Sequence, residues 1–166
     1  MTDSNNPYAP PRAAVADVFT ADGEFQPVKI FSASGRIGRL RYLAYTAGGY
    51  LIFIVAVFIA GAIYGAVTRS VAGVELIGWI IAIPYFIFTI MVGIQRCHDM
   101  NWSGWAVLLS IIPLAGLVFL FMPGTKGPNR FGPPPVPNSA GVKVLAFALP
   151  VLMVVGVIAT VVLSRA

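Results

Sequence analysis

The chain has 166 residues, 58% of them hydrophobic and only 10% charged, with a formal net charge of +5. Soluble domains carry roughly a quarter charged residues, so this composition excludes an ordinary soluble domain. Its single cysteine excludes an internal disulfide.

Residues 1–28 hold Asp3, Asp17, Asp22 and Glu24 against Arg12 alone. Proline and asparagine at the start and the lack of an apolar run argue against a cleavable signal peptide. The segment predicts a disordered acidic tail, leaving the first hydrophobic helix as an uncleaved insertion signal. Ten of the 11 Lys and Arg follow this tail, against Glu75 and Asp99.

Four uncharged apolar runs come next, about 42–67, 76–94, 102–122 and 144–163. Each matches the ~18 to 20 residues that cross a hydrocarbon layer of about 30 Å. Backbone polar groups find no water there, so the runs must be helical. The expected fold is an all-α integral membrane protein, a small bundle of three to four transmembrane helices. Residues 29–135 would form its core, 136–143 a linker, and 144–166 an additional C-terminal transmembrane helix.

Lys29, Arg36, Arg39 and Arg41 precede the first run, which places that end in the cytoplasm. Tyr42, Trp102 and Trp105 lie at run ends, where aromatic rings anchor at the interface. Gly61 and Gly65 are spaced for close helix packing, within the chain or in a homo-oligomer. Pro113 and Gly116 sit at the centre of the third run. If that run spans, both termini are cytoplasmic, and Lys126, Arg130 and Lys143 fall on the side that should be poor in positive charge. If it turns back at the proline, those three cations return to the cytoplasmic side. A mid-membrane turn has to be covered by protein, so a plain span is the first expectation and a re-entrant run the alternative.

Between the second and third runs stands "QRCHDMNWSGW", with the chain's only His and only Cys. His98, Asp99 and Ser103 are residue types of a hydrolytic triad, but neighbours in one loop do not make its geometry. One Cys and one His fall short of the four ligands of a structural zinc site, so neither metal nor cofactor is expected. Asp99, Asn101 and Ser103 are helix-capping types, and a rigid interfacial turn accounts for the stretch without chemistry. The sharper expectation is a contact site for anionic phospholipid headgroups or an acidic partner. Its candidates are Arg36, Arg39, Arg41, Arg96, His98, Asp99, Asn129 and Arg130.

Three motifs stand in order: "GRIGRLRYLAY", "RCHDMNWSGW" and "PGTKGPNRFGPPP". Together they resemble the DUF805 family of small bacterial inner-membrane proteins, over roughly Phe31 to Pro134. The family pattern has paired arginine where this chain has Gln95-Arg96, and an aliphatic residue where it has Cys97. The resemblance implies a multi-pass protein of the bacterial cytoplasmic membrane and carries no biochemical activity. The functional expectation is a non-enzymatic interaction or lipid-headgroup-contacting component, with another membrane protein as a further candidate partner. An oligomeric channel or transporter subunit is the alternative, although Thr46, Tyr50, Tyr85, Thr89, Ser110 and Thr160 are sparse polar groups for a pathway. An interfacial enzyme is the third reading. Nucleic acid is not an expected partner, because the basic residues flank apolar runs and the tail is acidic.

Overall fold

The computed structural model describes residues 25–164. Its helices are α1 (Arg39–Thr68), α2 (Val74–Asp99), a 3-10 helix (Gly104–Ile111), α3 (Pro113–Phe121) and α4 (Ala140–Leu163). Most of the acidic tail, residues 1–24, lies outside the described residues. The part that is described, around Gln26, is extended and donates its backbone N–H to Pro134 O at 2.9 Å.

Among the described residues, α1 and α2 are each long and apolar enough to cross a membrane. They form an antiparallel hairpin. Arg69 ends α1 in the left-handed region and donates its N–H to Gly65 O, and Tyr64 Oη donates to Ala72 O at 2.7 Å across the turn. Gly61 and Gly65 serve this hairpin. A Cβ on Gly61 would stand 3.3 Å from Val74, and one on Gly65 would stand 3.8 Å from Ser70 O. Halfway along, Phe53 stacks on Tyr85 with ring centroids 4.9 Å apart. At the other end Ile37 N–H reaches Gln95 O at 3.3 Å, which brings the start of α1 against the last turns of α2.

Both helices overrun the apolar runs that announced them. α1 begins at Arg39 instead of Tyr42, and α2 continues to Asp99 instead of stopping near Ile94. Half of "QRCHDMNWSGW" is therefore helix. The helix ends in a Schellman motif: Trp102 N–H donates to Cys97 O at 2.8 Å and Asn101 N–H to His98 O at 3.0 Å. Asn101 takes φ 61°, which a short polar side chain tolerates better than most. Asp99 and Asn101, expected to cap the third run, instead finish the second. Ser103 precedes the 3-10 helix without a side-chain capping bond.

The third run is not one helix. The 3-10 helix stops at Ile111, Ile112 is extended (φ −87°, ψ 115°), and Pro113 opens α3 in its first turn. Residues before proline avoid the helical region, while proline itself suits a helix start, so Pro113 begins a new helix and does not kink an old one. α3 then folds back over the 3-10 helix, where a Cβ on Gly116 would stand 3.4 Å from Ser110 O. The run thus returns to the end it left: Thr125 N–H donates to Asp99 O at 2.7 Å. α4 starts at this same end and packs along α1, with Leu145 facing Ala44 and Gly48 across a shared groove. We call this end, where residues 26–38, 95–102 and 122–139 meet, the polar end.

Candidate functional site

Three side chains from two distant motifs form the centre of the polar end. Arg36, Arg96 and Asp99 are 3%, 0% and 3% exposed. Asp99 accepts Arg36 Nη2 on one oxygen at 3.2 Å and Arg96 Nη1 on the other at 2.6 Å. Two guanidinium groups against one carboxylate leave an excess positive charge in a dry place, which is costly unless dipoles offset it. Carbonyl oxygens supply them. Arg36 donates to Gly127 O (2.8 Å), Gly132 O (3.0 Å) and Thr125 O (2.8 Å). Arg96 donates through Nε to Phe119 O at 2.8 Å and through Nη2 to Met122 O.

These acceptors explain how the third run is held. The last carbonyls of a helix lack partners within it and carry its negative dipole end. Arg96 takes Phe119 O and Arg39 takes Phe121 O at 3.1 Å, so two arginines cap α3. Phe119, 0% exposed, packs with Cys97 and Met100 beneath them.

The loop after α3 is fixed as tightly. Asn129 Nδ2 donates to His98 O at 2.8 Å, and its Oδ1 accepts Phe131 N–H at 2.9 Å. Its backbone exchanges two bonds with Gly132, of 3.0 and 2.9 Å. His98 lies flat on Phe131, centroids 3.8 Å apart and 11° from parallel. Its Nδ1 is 3.1 Å from Gly35 O. A carbonyl only accepts, so Nδ1 carries the proton. Gly124 abuts the Asp99 carboxylate so closely that any Cβ there would overlap it.

The expected site residues therefore divide. Arg36, Arg96, Asp99, His98 and Asn129 come together in one network. Arg41 is also buried but stands apart, donating to Val136 O and Pro137 O at 3.1 Å each. Arg39 and Arg130 remain exposed, the latter donating to Asn101 O at 3.1 Å and lying 4.8 Å over Phe131. Of the anchors, Tyr42 packs on Phe119 and Trp102 joins the core, both half-buried, while Trp105 is 80% exposed. Arg36, Arg41 and Arg96 are buried, their guanidinium groups bonded to protein carbonyls and, for Arg36 and Arg96, to Asp99. The exposed cations of this end are Lys29, Arg39, Lys126, Arg130 and Lys143.

Several participants escaped the sequence reading. Gln95 Nε2 donates to Lys29 O at 2.8 Å and to Ser32 O, tying the incoming segment to α2. Gln26 fills the space between Gly35 and Gly132, both in the left-handed region at φ 102° and 114°. Gly124 and Thr125 belong to the third motif, whose glycine spacing was the available signal.

Residues 30–133 match the family described as Protein of unknown function (DUF805). Inner membrane protein YhaH of Escherichia coli (strain K12) is 34% identical over 110 residues, covering 61% of this chain and 84% of the relative. Inner membrane protein YhaI of the same strain is 33% identical over 92 residues, covering 52% and 77%. No solved structure matches the chain. All of α4 lies beyond the family match, as do Gln26 and Lys29, whereas Arg36, Gln95, Arg96, His98, Asp99 and Asn129 lie within it. The match spans more than half of the sequence and takes in all three motifs that build the polar end, and the chain belongs to the DUF805 family.

Proposed function

We propose that this is a non-enzymatic protein of the bacterial inner membrane whose polar end faces the cytoplasm and contacts anionic lipid headgroups. One observation carries the reading: of the nine Lys and Arg among the described residues, only Arg69 lies away from the polar end. Positive charge collects on the cytoplasmic side of membrane proteins. In this arrangement α1, α2 and α4 cross, and the 3-10 helix with α3 forms a re-entrant hairpin that packs on one side against α1 and α2. The span first expected for the third run gives way to its alternative, and the end of α4 lies outside. The five exposed cations then stand at the lipid surface, where each contributes about 1 kcal/mol of attraction to an anionic leaflet.

The test is thiol accessibility in intact cells. Cys97 is replaced by Ala, and one new Cys is placed at Lys126 or at Ser70. The Ser70 position should react with a membrane-impermeant reagent directly, and the Lys126 position only after permeabilisation. Labelling at Lys126 in sealed cells overturns the arrangement.

A further inference from the structure

Between α2 and the 3-10 helix lies an open-sided cleft of about 530 Å³. Its apolar walls include Phe86, Ile90 and Ile94 from α2, and Trp105, Leu108 and Ile111 from the 3-10 helix. The two elements approach most tightly at two glycines. A Cβ at Gly104 would stand 3.0 Å from Ile94, and one at Gly93 only 2.5 Å from Val107. Around these contacts the walls part, and Ser110 and Thr89 turn their hydroxyls onto their own backbones (2.6 Å to Val107 O, 2.8 Å to Phe86 O). The space left between them is apolar.

The cleft has a definite depth. It follows the 3-10 helix from Ser103, at the polar end, to Ile111, at the break. Eight residues rising about 2.0 Å each span roughly 16 Å. That is about half of a ~30 Å hydrocarbon layer, the depth of one leaflet. At the mouth, Ser103 is exposed, and the exposed Arg130 donates to Asn101 O, two residues earlier. Asp99, the acid nearest in sequence, already has both oxygens on arginines. An apolar slot one leaflet deep under a positive mouth fits an amphiphile with an anionic head.

We infer that the cleft holds one acyl chain of an anionic phospholipid of the cytoplasmic leaflet, its phosphate lying at Ser103 and Arg130. This rests on the orientation and headgroup contact proposed above.

The test reconstitutes the full chain in phosphatidylcholine vesicles. These contain equal mole fractions of either phosphatidylglycerol or phosphatidylcholine brominated on the acyl chains, and tryptophan quenching is read. A Trp105→Phe variant isolates the signal from the cleft, and Trp79, at the opposite end, serves as the bulk-lipid reference. Brominated phosphatidylglycerol should be favoured at Trp105 by about five-fold, the factor one juxtamembrane cation supplies. Arg130→Gln should abolish that preference, and Ser110→Phe, which fills the deep end, should reduce quenching of Trp105 by both lipids. Equal quenching by the two lipids, or no effect of Ser110→Phe, overturns the inference. Phosphatidylglycerol retained through detergent purification reports on the wider surface separately. If Lys126→Gln with Lys143→Gln leaves that retention unchanged while Trp105 keeps its preference, the surface reading falls and the cleft stands. If retention drops while Trp105 shows no preference, the cleft falls and the surface stands.

Discussion

The two ends of α1 are built on opposite principles. Near Arg39 the helix enters a dense network, where Arg36, Gln95, Arg96 and Asp99 are almost wholly buried and each is bonded to specific partners. Farther along, Ile52 is 72% and Phe58 74% exposed. In water the second pattern would signal a missing partner. In a bilayer it is unremarkable, because lipid tails are as apolar as the side chains and give little drive for helices to associate. Directional bonds must then supply the specificity that burial gives a soluble core. Here they gather at the polar end, and the shafts need only shape.

The sharpest way to break this comparison is Asp99→Asn. It removes the only carboxylate between two buried guanidinium groups, and losing one partner of such a cluster costs about 3–5 kcal/mol. Unfolding in mixed micelles titrated with sodium dodecyl sulfate should show it. A loss below about 1 kcal/mol would mean that the carbonyl dipoles alone hold the arginines. Next comes Gly124→Ala, whose methyl would displace the Asp99 carboxylate. Overpacking of this kind costs about 1–3 kcal/mol in the same titration. Asn129→Ala should follow at roughly 1 kcal/mol, since it removes one bond to His98 O and the bond closing its own turn. Limited proteolysis should then open the loop between Lys126 and Arg130 before the helices unfold. The smallest effect belongs to the shaft: Phe58→Leu should shift stability by no more than about 0.5 kcal/mol. A larger loss there would reveal packing against a second copy.

The difference between the two regions also decides what the sequence discloses. Apolar runs mark the shafts, because a helix in hydrocarbon needs nothing more than length and hydropathy. They misplace the ends at Arg39 and Asp99, where helix continues through polar residues that have found partners elsewhere. Hydropathy is equally blind to the break at Ile112–Pro113, since both halves of the run are apolar. Five residues named from the three motifs, Arg36, Arg96, His98, Asp99 and Asn129, do meet in one network. Their roles are another matter. Lysine- and arginine-rich flanks read as surface charge, and the burial of Arg36 is visible only once Gly127 and Gly132, 91 and 96 positions later, are placed beside it.

That separation has a consequence for assembly. Arg36 and Arg96 enter the membrane interface with the first hairpin, before the carbonyls of residues 119–132 that will receive them have been made. At roughly 5–20 residues per second, synthesis alone separates Arg36 from Gly132 by about 5 to 20 s. Until residues 119–132 are made, Asp99 is the acceptor that the two arginines share, and their remaining donors face water and lipid phosphate. The polar end therefore closes last, and a chain halted before residue 119 would carry two membrane helices with an open, cationic collar.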